Sequence, residues 1–128
     1  MPKTESFNKH RTLSKMMNKK QYNEYRARLN ELEPLNRQLN SFRGTFRQDK
    51  STDPHEDKKY ELWKDLRRQG HDVITEAIFI KGRGRCDIID LTDGTIFEVL
   101  HSESKEDCIL KASKYPMEHF KLIMVEAK

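Results

Sequence analysis

Two acids stand inside the most strand-like part of the sequence. Asp87 lies in "GRCDIIDL" and Glu98 in "TIFEVLHS", on either side of the turn signal "TDG" at 92–94. A half-buried strand selects apolar and β-branched residues, and a carboxylate buried there without a partner costs on the order of several kcal/mol. Paired strands joined by a short turn can bring both acids to one side at one level. Two carboxylates that close repel and raise each other's pKa. A hard divalent cation resolves both problems. Mg²⁺, or Mn²⁺ in its place, takes a few carboxylate oxygens plus water and leaves room for a phosphate. The backbone carbonyl of Val99 offers a further oxygen; Glu76, in "ITEAIF", reads as a solvated or salt-bridged strand acid, or, if its strand neighbours that of Asp87, as a further member of the metal shell. A cation so held lowers the pKa of bound water and neutralises charge at a phosphodiester. Asp90, just before the turn, fits the ordinary role of a strand-end acid facing water.

The elements that must position these residues are legible from residue 53 onward. Asp53 caps a helix with Pro54 at its first position, and "HEDKKYELWKDLRRQG" runs to a stop at Gly70 with Arg67 and Arg68 in the last turn. "DVITEAIFI" and "RCDIIDL" read as strands, the second forming a hairpin with "TIFEVLHS" across the turn. A helix over "SESKEDCILKASKYP" ends at Tyr115-Pro116, with Ser102 or Ser104 near its cap. "FKLIMVEA" is nearly continuously apolar, which predicts a strand buried on both faces in a parallel pair reached by the helical crossover. The expected fold is therefore α/β: a helix-strand-strand-strand-helix-strand core over 51–128 around a mixed sheet.

The 128 residues carry 25 Lys/Arg against 21 Asp/Glu, a net charge of +4. The charge is unevenly spread: residues 1–50 hold 12 bases and 5 acids, a net +7. Helix-favouring composition over 12–40, an apolar stripe through Met16, Met17, Tyr22, Tyr25, Leu29 and Leu32, and its continuation at Leu35, Leu39, Phe42 and Phe46 predict a basic helical extension. Pro34 interrupts it, and the polar "QDKSTDP" at 48–54 is the expected boundary with the domain. The stripe would pack on the domain or on a second copy of the chain, making a homodimer, while Arg37, Arg43 and Arg47 track phosphates. Cys86 and Cys108 have neither disulfide-framework nor zinc-ligand spacing and read as small core residues. No apolar run approaches the roughly 20 residues of a membrane span, and "MPKTESFNKHR" has no signal-peptide core, so the expected setting is intracellular, in the cytoplasm.

With these residues in place, 55–126 resemble the PD-(D/E)xK nuclease superfamily, which includes restriction endonucleases and archaeal Holliday junction resolvases. The resemblance rests on "GRCDII" around Asp87, on Glu98-Val99-Leu100 as the (D/E)-x-K triplet, and on the α-β-β-β-α-β order. It implies a restriction-endonuclease-like core and a Mg²⁺-dependent hydrolase that cuts DNA, duplex or branched. Asp87 and Glu98 would be the metal ligands and Glu56, in "PHEDKK", the supporting acid of the first helix. The sequence departs from the pattern at Leu100, where the family carries a lysine that activates water and stabilises developing charge. Some members move that lysine to the following helix. Lys111 is the candidate here, with Lys59 and Lys105 as further options. Leu100 also supports the alternative, an inactive nuclease-fold protein that binds nucleic acid or serves assembly.

Three bases in "KGRGR", Lys81, Arg83 and Arg85, lie in the loop before Asp87, where a flexible basic loop would clamp phosphate. His55 reads as a second-shell base or a plain helix-start residue. By alternation His101 faces away from Glu98, and Ser102 returns to its side.

Overall fold

The computed structural model describes residues 17–44 and 53–127. The described elements run α1 (Lys19–Asn30), α2 (Pro54–Arg68), β1 (Val73–Ile78), β2 (Arg85–Asp90), β3 (Thr95–Leu100), α3 (Lys105–Ala112) and β4 (Lys121–Glu126), with 3₁₀ turns at Pro34–Asn36 and Ile80–Gly82. The strands form one sheet in the order β1-β2-β3-β4. β1/β2 and β2/β3 pair antiparallel and β3/β4 parallel, so the architecture is α/β with a mixed four-stranded sheet. Among the described residues no helix is long and apolar enough to cross a membrane.

Local chemistry sets the element ends. The Asp53 carboxylate accepts from the Glu56 N–H, Pro54 opens α2, and Gly70 leaves it at φ +85°. Ser104 accepts from the Asp107 N–H and starts α3. At the hairpin, Asp90 Oδ1 accepts from the N–H groups of Thr92 and Asp93, and Gly94 takes φ +75°. Asp90 is therefore buried rather than turned to water, and its second oxygen lies 2.6 Å from His71 Nδ1. Burial raises its pKa.

Two apolar clusters sandwich the sheet. Leu62, Trp63 and Leu66 of α2 pack on Val73, Ile88, Phe97 and Val99. Tyr25, Leu29 and Leu32 join Ala112 and Tyr115 over Ile74, Ala77, Cys86, Ile89 and Ile96. Neighbouring strand residues such as Val73/Ile74 and Ile88/Ile89 go to different clusters, which places the clusters on opposite faces.

The described part of the basic N-terminal region, 17–44, does not stand apart from this core. Leu32 is fully buried, worth about 1.5–3 kcal/mol by itself, and Tyr25 donates to Asp72 Oδ2 at 2.6 Å. The chain after α1 runs antiparallel along the outer edge of β1. Glu33 N donates to the Ile78 carbonyl, Ile80 N to the Glu31 carbonyl and Thr75 N to the Ser41 carbonyl, while Asn40 Oδ1 accepts from Val73 N and Asn36 Oδ1 from Ile78 N. An uncovered edge strand and an amphipathic segment satisfy each other. Leu35 departs from the stripe and is exposed, and Met16, Phe46 and the segment 45–52 lie outside the described residues. β4 also differs from expectation. It is an edge strand with Ile123 exposed and the rest no more than half-buried, because an eight-residue α3 covers little of it.

Candidate active site

The β2/β3 ladder pairs Asp90 with Thr95, Ile89 with Ile96 and Ile88 with Phe97. The next residues in that register are Asp87 and Glu98, and there the ladder gives way to side chains. The Asp87 N–H donates to Glu98 Oε2 at 2.7 Å, and the Val99 N–H donates to Asp87 Oδ2 at 2.8 Å. Each acid thus satisfies backbone that the parted strands leave open. β1 is irregular at the same level: Thr75/Ile88 and Ala77/Cys86 pair, but Glu76 between them takes φ +51°. A non-glycine residue in this region is strained and is held by its surroundings. Alternation slips on β2 too, since Cys86 and Ile88 belong to opposite clusters. The sheet therefore opens where its acids sit.

Glu98 is fully buried and both of its carboxylate oxygens are engaged. Oε1 accepts from the Tyr115 hydroxyl at 2.9 Å and lies 2.9 Å from Lys111 Nζ. Burial, then the Asp87 charge, raises the Glu98 pKa. Burial works against the Lys111 charge, but the contact with Glu98 outweighs it and holds the ammonium above its ordinary value. Burial raises Tyr115 far above a free phenol, and its oxygen also lies 2.8 Å from the Arg85 carbonyl. Gly84 makes room for this ring: at φ +105°, a Cβ there would lie 2.8 Å from Tyr115 Cε1. Burial pushes Asp87 upward as well, yet the hydrogen bonds from His55 and Val99 leave it below its usual value. His55 Nε2 lies 3.3 Å from Asp87 Oδ2, and that bond raises the imidazole despite its partial burial.

A second charged group abuts the first. Lys59 is 0% exposed, with Nζ 2.7 Å from Glu56 Oε2 and 3.9 Å from Glu76 Oε1. Neither Nζ nor Glu56 Oε2 makes a directed hydrogen bond, so the closest contact is ionic in character. The Nζ also stands 5.7 Å from the Phe42 ring centre.

The sequence-identified residues divide clearly. Asp87, Glu98 and Lys111 are brought together, with His55 beside them. Glu56 and Glu76 face Lys59 and not the Asp87/Glu98 pair. The Val99 N–H holds Asp87. Leu100 is only 5% exposed, and His101, Ser102 and Lys105 are exposed. The basic residues split as well. Arg83 is consumed inside the protein, bonding the carbonyls of Lys114 and Tyr115 and the carboxylates of Glu31 and Glu118. Arg43 bonds Asn36 Oδ1 and the Leu35 carbonyl. Both are therefore structural clamps and not open phosphate contacts, because the fold supplies acceptors that local sequence does not reveal. Lys81 and Arg85 are exposed, and Arg47 lies outside the described residues. Tyr115 was not singled out by the sequence, although its four-residue spacing from Lys111 carried a signal.

Among the described residues, the one set of three or more acid, His or Cys side chains whose ligand atoms all lie within 4.8 Å of one another is Glu31, Glu118 and His119, away from Asp87 and Glu98, and there Arg83 lies 3.3 Å from both acids and meets their charge. No family model, curated protein or solved structure matches the chain.

Proposed function

We propose that this chain is a divalent-metal-dependent DNA endonuclease of the PD-(D/E)xK kind, with Asp87 and Glu98 as metal ligands and Lys111 in place of the motif lysine. The observation that carries the reading is the 2.9 Å contact between Lys111 Nζ and Glu98 Oε1, an ammonium delivered from α3 to the acid of β3. The α-β-β-β-α-β order of α2 through β4 and the opening of the sheet at Asp87 and Glu98 support it.

The donor set suits Mg²⁺ or Mn²⁺. It consists of hard carboxylate oxygens, and both hydrogen bonds to Asp87 fall on Oδ2, leaving Oδ1 with none from the described residues. Asp87 and Glu98 meet Lys111 and His55, while Glu56 and Glu76 meet Lys59 in an adjoining group. When bound, the cation supplies an activated water and neutralises phosphate charge. The chain's own residues do the rest. His55 and the Val99 N–H fix Asp87; Tyr115 and the Asp87 N–H fix Glu98. Lys111, half-exposed, can leave Glu98 for a phosphate oxygen and meet the charge that develops there. Exposed Lys81, in the 3₁₀ turn before β2, and exposed Arg85, the first residue of β2, would be the phosphate contacts.

The test is cleavage of supercoiled, linear and branched DNA with Mg²⁺ or Mn²⁺. Asp87→Asn and Glu98→Gln should abolish cutting, and Lys111→Met should slow it by roughly 10²–10³. Cutting that survives both acid substitutions would refute the assignment. A second reading, a nuclease-like fold that binds DNA without cutting, draws on buried Leu100 and on a Glu98 whose two oxygens are already engaged by the protein. DNA binding with no cleavage under either metal selects it.

A further inference from the structure

We infer that Lys59 is an internal cation: its ammonium occupies the place of a second metal ion between Glu56 and Glu76 and limits the acid cluster to one divalent ion. The count of one rests on the cation proposed at Asp87 and Glu98; the role of Lys59 does not.

A buried ammonium normally gathers acceptors for its three N–H donors. Lys59 has no directed hydrogen bond among the described residues, although its side chain is wholly buried. What it has is charge: one carboxylate oxygen at 2.7 Å, a second at 3.9 Å and an aromatic ring 5.7 Å away. That is the environment of an ion held electrostatically. The two acids come from different elements, Glu56 from the first turn of α2 and Glu76 from the strained point of β1, and Lys59 links them from one turn along α2. Gly44 closes the site from outside, since a Cβ there would lie 2.6 Å from Glu56 Oε2 and 3.1 Å from Lys59 Nζ. Water cannot easily replace the ammonium in so tight a space. Without Lys59, two partly buried carboxylates would face each other unpaired, a state that favours protonation or a cation.

The test counts bound Mn²⁺ on the full chain by electron paramagnetic resonance and calorimetry. Wild type should bind one ion, and Lys59→Met should bind two. Lys59→Arg should stay at one, and Lys59→Met with Glu76→Gln should return to one. The decisive arm uses Asp87→Asn, which removes the first site: that protein should bind none, and adding Lys59→Met should create one. A folded Lys59→Met protein with no added ion in either background overturns the inference and leaves the Asp87/Glu98 reading intact. Wild type binding no ion defeats that reading, whereas a site gained on Lys59→Met still supports this one. If Lys59→Met in the Asp87→Asn background fails to fold in chelator, Mn²⁺ should restore its circular dichroism, and failure to do so overturns the inference.

Discussion

Replacing Lys111 by Met removes the one lysine that touches Glu98 and leaves a side chain of similar length. Charges 2.9 Å apart attract by about 6 kcal/mol at an effective dielectric of ~20 and by about 1.4 kcal/mol in water. Glu98 is 0% exposed but Lys111 is 44% exposed, so screening draws the value toward the lower end. Glu98 also keeps the Tyr115 hydroxyl and the Asp87 N–H. A loss of about 2 kcal/mol at neutral pH follows, short of the ~3–5 kcal/mol for orphaning a fully buried charge. With a urea m-value of ~2 kcal/mol/M, the unfolding midpoint falls by about 1 M. In a Glu98→Gln background the same substitution should cost only a few tenths of a kcal/mol, making a double-mutant cycle the assay. The pH dependence adds a second check. Folded Glu98 has a raised pKa, so ionising it weakens the fold as pH rises through that value, and Lys111 limits the loss. The deficit of Lys111→Met should therefore shrink on acidification as Glu98 takes up its proton. An equal cost in both backgrounds, or a deficit that persists in acid, would refute the coupling.

Two further outcomes follow from buried contacts. Tyr25→Phe deletes the 2.6 Å hydrogen bond to Asp72 and leaves that buried carboxylate with Asn40 at 3.3 Å; chemical denaturation should show a loss of about 1.5–3 kcal/mol with one cooperative transition, and an unchanged midpoint would mean that this hydrogen bond adds nothing to stability. In metal-free protein, NMR titration of His55 should give a pKa above 6.5 that falls on Asp87→Asn; its stabilising contribution is complete below the unfolded value and disappears as pH rises through the folded one, so stability that instead grew over that window in the difference between wild type and Asp87→Asn would contradict the pairing.

The sequence made the elements readable because caps and periodicities are local. Asp53-Pro54, Gly70 and Ser104 mark helix ends, and four short apolar runs mark strands. Asp87 and Glu98 were legible as a cost: apolar strands carry acids only with compensation. What stayed hidden depends on partners distant in sequence. Arg83 resembles a solvated loop base until the fold brings it Glu31 and Glu118, and Lys59 resembles an ordinary helix lysine until β1 supplies Glu76. The α1 stripe announced a face to bury but not that the following chain would cover the β1 edge. The apolar run of β4 overstated its burial because hydrophobicity does not reveal which strand ends a sheet.

Under the proposed function, a helix lysine in place of a strand lysine has a physical logic in this fold. Position 100 is 5% exposed at the end of β3, where a lysine would need to bury its stem and find an acceptor for a desolvated ammonium. Lys111 lies in the last turn of α3 and Tyr115 in the turn just beyond its end, and both reach Glu98 Oε1. The neutral hydroxyl is deeply buried and stays with the acid, while the ammonium remains half in water. That division suits a cation that must guard a carboxylate in the free protein and meet a phosphate in the bound one: the move requires a change of side-chain rotamer and no opening of the core. A lysine rooted on β3 would be stiffer and more deeply desolvated. Leu100 is therefore compatible with an active site, provided that α3 holds Lys111 against β3, and the short helix between Ser104 and Ser113 becomes part of the catalytic apparatus proposed above.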